Sequence, residues 1–219
     1  MPILIVAATV FESQILSELS HASINVLNTG VGMLNAAHHV TKILNQRKYD
    51  LVLNIGICGS YRRRFAIGDV VHIDEEVLSD LGATDAGGEF LDLKVMGFKL
   101  FEKNGTTYFN SIKNPNSLTD FFAFDFSNLA SVRSASVNTV HGCENDITAI
   151  TKQFDPDVEN MEGAAVSYVC LQEDIPYFEF RAISNYVEPR DKTNWNTTLA
   201  ARKVQEFVLN LIPQTKINF

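Results

Sequence analysis

Two polar side chains, a glutamate and an asparagine, each follow a predicted strand and could bind a ligand together. Glu162 lies in N-M-E-G-A-A at 160–165, which predicts a short strand that breaks into a helix with the carboxylate in its first turn. Asn185 follows the apolar segment 177–183, a predicted strand that runs into a turn near Pro189. Because ligands of open α/β sheets bind beyond the carboxyl ends of strands, we expect both side chains to line one pocket.

Two glutamates, at positions 12 and 162, also have purely structural explanations. T-x-x-E at 9–12 is a capping-box pattern, in which Glu12 closes the start of the helix that it begins. A carboxylate in a first helical turn, as predicted for Glu162, is stabilised by the helix macrodipole by about 0.3–1 kcal/mol. From these residues alone, capping is the favoured role of Glu12. The macrodipole explains Glu162 but not Met161 before it.

Two glycine pairs, Gly30-x-Gly32 and Gly56-x-x-Gly59, each follow a predicted strand. Glycine allows the backbone to approach a ligand closely and to adopt positive φ. Neither pair is the three-glycine pattern of dinucleotide-binding folds, so an NAD or ATP site is disfavoured. The need for a tight turn explains Gly30 and Gly32 about as well as a contact with a ligand does.

The elements that must position these residues alternate between strands and helices in the first half of the chain. Such alternation predicts a largely parallel sheet covered by helices. Residues 80–90 are predicted to form a long functional loop, and the aromatic-rich segment 95–126 has no assignable periodicity. Strands are predicted at 3–7, 24–28, 51–55, 69–77, 132–140 and 177–183, and helices from 9, at 33–44, at 144–154, from 161 and at 195–211.

The composition is that of an ordinary globular protein and disfavours several other classes. The 219 residues, 46% of them hydrophobic, are predicted to form one domain spanning 1–219. The sequence has no apolar run of about 18 residues, so no membrane span is predicted. Residues 1–6 predict a first strand rather than a signal peptide. The net charge of −8 disfavours a nucleic-acid partner, and the basic cluster 62–64 is expected to be a solvated loop. Three widely spaced cysteines match no disulfide or zinc pattern, which fits a cytoplasmic protein.

The segments around Glu162 and Asn185 together resemble those of the nucleoside phosphorylase/nucleosidase superfamily. In that family a Met-Glu pair opens a helix and holds the ribose, and an Arg-x-Ile-Ser-Asp or -Asn segment holds the purine. The corresponding residues here are M-E at 161–162 and R-A-I-S-N at 181–185, and the longer run to Asp191, followed by Trp195, looks closest to the futalosine hydrolase branch. The resemblance covers nearly the whole chain. It implies a three-layer α/β/α fold with a mixed, partly closed central sheet.

The resemblance implies a role for each candidate residue. In the hydrolase branch a glutamate at the place of Glu12 holds and activates the attacking water, which reverses the preference for capping alone. The carboxylate of Glu162 accepts hydrogen bonds from the ribose hydroxyls and favours the positive charge that develops on the sugar. The implied catalytic residues are Glu12 and Asn185, and the implied substrate-binding residues are Gly56, Cys58, Gly59, Asn160, Met161, Glu162 and Ser184.

Asn185 and Asn54 distinguish the related activities. Adenosine-type nucleosidases of the family have aspartate at the place of Asn185, and its acceptors would repel N7 and O6 of a 6-oxopurine. An asparagine amide can donate to either atom, although it could also pair with adenine. Phosphorylases carry phosphate-binding arginines at the places of Glu12 and Asn54, so water is favoured over phosphate as the nucleophile.

The reaction that the resemblance implies is hydrolysis of futalosine to hypoxanthine and dehypoxanthinylfutalosine in menaquinone biosynthesis. The alternatives are a methylthioadenosine/adenosylhomocysteine nucleosidase or other purine nucleosidase, a phosphate-dependent phosphorylase and an inactive nucleoside-binding domain. No metal or organic cofactor is implied. The expected partners are a small-molecule nucleoside and a second copy of the chain, with no nucleic acid or membrane.

For three further features the sequence allows more than one interpretation. His141 follows the strand predicted at 132–140, where relatives often have a small hydroxyl residue, and a lone histidine there is more often structural. Arg181 is a candidate for an ion pair that orients loops. Futalosine carries a carboxylate on its 5′ extension, for which Arg190, an arginine of 62–64 and a backbone amide are all candidate partners.

Overall fold

The computed structural model describes residues 2–19 and 22–216. The strands are β1 (Ile3–Ala7), β2 (Ile24–Asn28), β3 (Leu51–Ser60), β4 (Val70–Leu78), β5 (Gly82–Thr84), β6 (Phe90–Asp92), β7 (Phe101–Lys103), β8 (Thr106–Tyr108), β9 (Ser111–Lys113), β10 (Ala130–Ser136), β11 (Val158–Asn160) and β12 (Tyr177–Tyr186). The α-helices are α1 (Gln14–Ser17), α2 (Met33–Gln46), α3 (Leu118–Phe121), α4 (Glu144–Phe154), α5 (Gly163–Gln172) and α6 (Thr197–Leu211). Short 3₁₀ turns cover Val10–Glu12, Lys192–Asn194 and Ile212–Gln214.

One mixed sheet organises the chain, with the strand order β11-β10-β4-β12-β3-β1-β2 and with β9 paired to β4. The pairings of β1 with β2 and β3, of β12 with β3 and of β10 with β4 and β11 are parallel. Strand β12 runs antiparallel to β4. The end of β3 also pairs with β11, so that β3, β12, β4, β10 and β11 form a closed ring. The mixed, partly closed sheet implied by the resemblance is therefore confirmed.

The core lies on both faces of this sheet because side chains alternate along buried strands. In β1, Ile3 and Ile5 pack with α1 and α6 on one face, whereas Leu4 and Val6 pack with α2 and α5 on the other. Helices therefore cover both faces, which gives the expected three layers. None of the helices within 2–19 and 22–216 is long and apolar enough to cross a membrane.

Three predicted strand ends were wrong, and strand pairing explains each of them. Strand β12 continues past Ile183 to Tyr186, because its pairing with β3 extends to Ser60. Strand β3 does not end at Ile55 but continues through Gly56 and Gly59 to Ser60, because β12 pairs with it from Val52 onward. The second glycine pair is thus part of a strand rather than a turn. Strand β10 ends at residue 136 rather than 140, where its parallel partner β11 also ends.

The middle of the chain forms short elements that periodicity did not reveal. The segment predicted as a loop at 80–90 contributes β5 and the start of β6, which pair as a hairpin. The segment 95–126 contains β7, β8, β9 and α3. Its aromatic residues include Phe121 and Phe122, whose rings pack at 5.2 and 5.4 Å from that of Phe178 in β12. Burial beneath the sheet therefore explains part of the aromatic composition.

Candidate functional site

A cavity of about 510 Å³ opens where β1, β3, β11 and β12 end. Its wall contains both predicted catalytic residues and most of the predicted substrate-binding residues. Gly56 does not line the cavity and lies behind Glu12 instead. The predicted residues in the wall are Glu12, Cys58, Gly59, Asn160, Met161, Glu162, Ser184 and Asn185.

Glu12 is buried and performs the predicted capping while it faces the cavity. Its Oε2 accepts hydrogen bonds from the backbone N–H and the hydroxyl of Thr9, at 3.1 and 2.8 Å. Its Oε1 accepts from the backbone N–H of Ile57, at 3.0 Å. A carboxylate offers about four acceptor positions, so one position, on Oε1, has no donor among the residues that the structure describes. Capping and contact with a ligand are therefore compatible.

Glu162 precedes helix α5 rather than lying in its first turn, which corrects the sequence-based placement. It occupies the N-cap position, but its side chain caps nothing in that helix. Oε1 instead accepts the backbone N–H of Gly32 at 2.9 Å, and Oε2 lies 3.5 Å from Nη1 of Arg181. Because Gly32 has φ +95°, a side chain there would be strained. The first glycine pair therefore helps to hold a cavity carboxylate.

Asn160 connects the neighbouring elements beneath the cavity. Its Oδ1 accepts the backbone N–H groups of Glu162 and Gly163, at 2.9 and 2.6 Å, and so performs the capping that Glu162 does not. Its Nδ2 donates to Oε1 of Glu76 and to Oγ of Ser134, at 2.6 and 2.7 Å. With both ends of the amide fully used, Asn160 fixes the start of α5 rather than offering a free polar group.

Arg181 lies at the centre of a buried group of charges, only 1% exposed. Its Nε donates to Oε1 of Glu179 at 2.7 Å, in addition to its contact with Glu162. Burial opposes the charge, but the carboxylates of Glu179, Glu162 and Glu12 raise the pKa of the guanidinium above its usual range. The predicted ion pair is present. An ideal Cβ on Gly56 would lie 2.8 Å from Oε1 of Glu12 and closer still to Arg181, which explains the glycine.

Asn185 and Ser184 both line the cavity although they are consecutive in β12. The register of β12 against β3 shifts between Ile183 and Asn185, and this bulge allows successive side chains to share a face. Oδ1 of Asn185 lies 2.7 Å from the Ser184 hydroxyl, and Nδ2 donates to the carbonyl of Tyr186 at 3.0 Å. One N–H of the amide therefore has no partner in the described residues.

Cys58 lies in the wall but is poorly suited to act as a nucleophile. Its thiol is 3.7 Å from the carbonyl of Ala182, and burial raises its pKa well above the usual range.

Two further wall residues, His141 and Glu159, were not among the predicted site residues. Oε2 of Glu159 accepts from the Tyr61 hydroxyl at 2.6 Å and lies 2.7 Å from Nδ1 of His141. This hydrogen bond with Glu159 raises the pKa of His141, and burial partly opposes the shift. A charged residue within the short strand before Met161 was the signal in the sequence that could have identified Glu159.

Arg190 also lines the cavity, beside Trp195. Its guanidinium carbon lies 5.1 Å from the centre of the Trp195 ring, and within residues 2–19 and 22–216 it has no acidic partner. The three arginines at 62–64, by contrast, are paired with Asp155, Asp157 and Glu188. The expectation that 62–64 are simply solvated was therefore incomplete.

The sequence model of the Phosphorylase superfamily matches residues 11–213, which is most of the chain. The chain belongs to this superfamily. It is 28% identical over 188 residues to futalosine hydrolase of Thermus thermophilus, a match that covers 86% of this chain and 80% of that protein. It is 29% identical over 177 residues to 5′-methylthioadenosine/S-adenosylhomocysteine nucleosidase of Listeria innocua, covering 78% and 72%.

A solved structure shares the fold of this superfamily member. It is the 5′-methylthioadenosine/S-adenosylhomocysteine nucleosidase of Colwellia psychrerythraea in complex with adenine. The two structures superpose with a TM-score of 0.76 at 20% sequence identity, and the match covers 96% of this chain and 93% of that one. The relatives are hydrolases and nucleosidases, which confirms the expected class of enzyme. Their names refer to two different kinds of substrate, so what they share is the class of enzyme.

Two buried acidic residues, Glu76 and Glu179, lie beneath the site of this superfamily member. Burial and the carboxylate of Glu179 raise the pKa of Glu76 well above its usual range, although Ser136 and Asn160 donate hydrogen bonds to it. An ideal Cβ on Gly163 would lie 2.7 Å from Oε1 of Glu179 and closer still to Oε1 of Glu76. The start of α5 can therefore approach both carboxyl groups only if residue 163 has no side chain.

Gly163→Ala is expected to lower the free energy of unfolding by about 1–3 kcal/mol, the usual cost of overpacking a close-packed core. Denaturant unfolding would measure this change. The matched control is Gly87→Ala, in an exposed loop where the atom nearest to the new Cβ is a carboxylate oxygen of Asp85 at 3.3 Å. This control should change the free energy of unfolding by less than about 0.5 kcal/mol. Equal stability of the two variants would contradict the close approach at Gly163.

Proposed function

We propose that this enzyme hydrolyses the N-glycosidic bond of futalosine and releases hypoxanthine and dehypoxanthinylfutalosine, as a step of menaquinone biosynthesis. The observation that carries the proposal is the amide of Asn185 in the cavity wall, with one N–H left for a purine that presents acceptors at N7 and O6. The similarity to T. thermophilus futalosine hydrolase over most of both chains supports the same substrate.

In this proposal Glu12 binds and activates the attacking water. Its three protein donors fix the carboxylate, and the remaining acceptor position on Oε1 is available to a water molecule. Phosphate is a poor alternative nucleophile here because the carboxylates of Glu12 and Glu162 would repel it. The nearby guanidinium of Arg181 is already paired with Glu179 and Glu162.

Glu162 would bind the ribose hydroxyls and stabilise the positive charge on the sugar as the C1′–N9 bond breaks. The N–H of Gly32 and the guanidinium of Arg181 approach one oxygen each, which leaves acceptor positions for two hydroxyl groups. Because the carboxylate is buried, its attraction for an oxocarbenium-like transition state is weakened little by solvent. Met161 would pack against the same sugar.

Asn185 would hold the purine leaving group by a hydrogen bond from its amide. An asparagine cannot transfer a proton at neutral pH, so its contribution is to orient the base and to stabilise developing negative charge. Methylthioadenosine or adenosylhomocysteine hydrolysis is the second candidate function. The similarity to the L. innocua nucleosidase favours it, and an asparagine amide can also pair with adenine.

We further propose that the enzyme is a cytoplasmic homodimer. Four apolar side chains, Val10, Phe11, Val31 and Leu34, are 44–85% exposed, and Phe11 and Val31 belong to the cavity wall. Exposed apolar groups beside a ligand cavity are typical of an interaction surface. The molar mass measured by light scattering tests the dimer.

Among futalosine, aminofutalosine, inosine, methylthioadenosine and adenosylhomocysteine, we expect futalosine to have the highest kcat/KM. The rate should be the same with and without phosphate, and the sugar product should be a free hemiacetal. Chromatography of the released base and sugar would measure both. Preference for methylthioadenosine would support the second candidate, and a ribose 1-phosphate product would contradict hydrolysis.

Glu12→Gln should lower kcat by about 10²–10⁴-fold, the usual contribution of a general base. The structure also predicts a stability cost, because a glutamine NH₂ group must face the N–H of either Thr9 or Ile57; an unsatisfied buried group costs about 1–3 kcal/mol. Steady-state kinetics and thermal unfolding of the same preparation measure the two effects. Glu18→Gln, at an exposed carboxylate, is the matched control. Normal turnover by a folded Glu12→Gln variant would mean that Glu12 caps the helix and does not activate water.

Arg190 is the arginine that we propose to bind the carboxylate of the futalosine 5′ extension. Each arginine of 62–64 already has an acidic partner, whereas Arg190 has none in the described part of the chain and lies in the cavity wall. The ring of Trp195 holds its guanidinium in place and offers an apolar surface to the aromatic part of the substrate.

Arg190→Gln should lower kcat/KM for futalosine about 10–100-fold, because a hydrogen bond to a charged group contributes about 1.5–3 kcal/mol. The same variant should change kcat/KM for inosine, which has no carboxylate, only a few-fold. Arg202→Gln, on the exposed side of α6, is the control for loss of charge. An equal loss for both substrates would show that Arg190 acts on the fold of the loop rather than on the carboxylate.

A further inference from the structure

The cavity wall contains a hydrogen-bonded cluster of His141, Glu159 and Tyr61 with no role in the reaction described so far. Nδ1 of His141 lies 2.7 Å from Oε2 of Glu159 and 3.1 Å from the Tyr61 hydroxyl. The backbone N–H of His141 donates to Oε1 of the same glutamate at 3.1 Å. Both oxygens of Glu159 are therefore directed at one histidine, and its carboxylate is 4% exposed.

The hydrogen bonds fix where the protons of this cluster lie. The one proton of the Tyr61 hydroxyl goes to Glu159, at 2.6 Å, so both oxygens that face Nδ1 act as acceptors. Nδ1 of His141 must then carry a proton. Nε2 has no hydrogen-bond partner in the described residues, and the ring lines the cavity. Protonation of Nε2 gives an imidazolium that neutralises the buried carboxylate and has one N–H left for a ligand.

The cluster lies next to Asn185. An ideal Cβ on Gly59 would lie 3.2 Å from Nδ2 of Asn185 and 3.6 Å from Cγ of Glu159, so both side chains flank the same point of β3. The other titratable groups in the wall are poor proton donors: Glu12 and Glu162 act as acceptors, and burial raises the pKa of the Cys58 thiol. The carboxylate that is hydrogen-bonded to His141 is therefore also a neighbour of the Asn185 amide.

We propose that His141 is the general acid of this enzyme, donating the proton on Nε2 to N7 of the departing purine while the free N–H of Asn185 donates to O6. This inference rests on the proposed nucleosidase reaction and adds the proton source that Asn185 lacks. Water gives its oxygen to C1′ and a proton to Glu12, and the C1′–N9 bond breaks with its electron pair moving into the purine. The proton from His141 neutralises the base. Exchange with solvent then returns a proton to His141 and removes one from Glu12.

The surroundings of His141 favour its charged form. Glu159 on β11 faces Nδ1, Tyr61 after β3 donates to that carboxylate, and Asp80 and Asp146 add more distant negative charge. The cationic residue on the neighbouring loop after β12 is Arg190, whose backbone N–H donates to the carbonyl of Gly142. Since the hydrogen bond to Glu159 raises the pKa of His141, the acid form is present below that raised pKa and is lost as pH rises through it. Activity should fall on the alkaline side.

Two variants and a pH profile of kcat/KM test the assignment, using whichever purine nucleoside the wild-type enzyme cleaves best. His141→Gln should lose about 10²–10³-fold at neutral pH and should lack the alkaline limb, because glutamine donates hydrogen bonds but does not titrate. Glu159→Gln should retain the limb but shift it to lower pH, towards the ordinary histidine value of about 6.5. His38→Gln, at an exposed histidine on α2, is the matched control and should leave the profile unchanged.

A 4-nitrophenyl riboside separates acid catalysis from a structural role. Its leaving group departs as a stable anion, so hydrolysis by His141→Gln should stay within a few-fold of wild type, whereas a damaged site would lose both substrates. A wild-type alkaline limb that persists unshifted in both variants would overturn the assignment of His141. A wild-type enzyme that cleaves inosine but not futalosine would instead reject the proposed substrate and leave this comparison intact.

Discussion

The buried guanidinium of Arg181 is the constraint on which the rest of the site depends. A charge that is 1% exposed must be compensated, and here Glu179 from the same strand and Glu162 from the start of α5 compensate it. Removing one partner of a buried ion pair typically costs about 3–5 kcal/mol. The position of Glu162 at the cavity is therefore tied to the stability of the sheet.

The same charges determine what the neighbouring backbone can be. Gly56 and Gly163 leave the space that Arg181 and the carboxyl groups of Glu76 and Glu179 occupy, so the glycines belong to the electrostatic arrangement and not to turns. Four carboxyl groups lie around this one guanidinium and would repel one another if all were ionised; they belong to Glu12, Glu76, Glu162 and Glu179. The raised pKa of Glu76, caused by burial and by Glu179, reduces that repulsion. The geometry of the cavity and the packing of the core thus depend on one set of residues.

Much of the fold could be predicted because buried parallel strands and amphipathic helices leave local patterns, as in β1 and α2. The convergence of Glu12, Glu162 and Asn185 on one cavity was predicted from their places at or near the ends of strands and from the family resemblance. What escaped prediction depends on pairing between distant segments. The continuation of β3 through Gly59 and the bulge at Ser184 are set by neighbouring strands. The partnership of Glu159 with a histidine 18 residues earlier has no periodic signature.

The one tryptophan in the sequence makes the cavity observable by fluorescence. Trp195 is the single tryptophan of the 219 residues, it lies in the cavity wall, and a cationic guanidinium rests over its ring. Indole fluorescence is sensitive to the charge and the solvent around the ring. Emission excited selectively at tryptophan therefore comes from one place in the molecule, and that place is where a ligand would bind. The protein contains its own optical reporter of cavity occupancy, so binding can be followed without a label and without turnover.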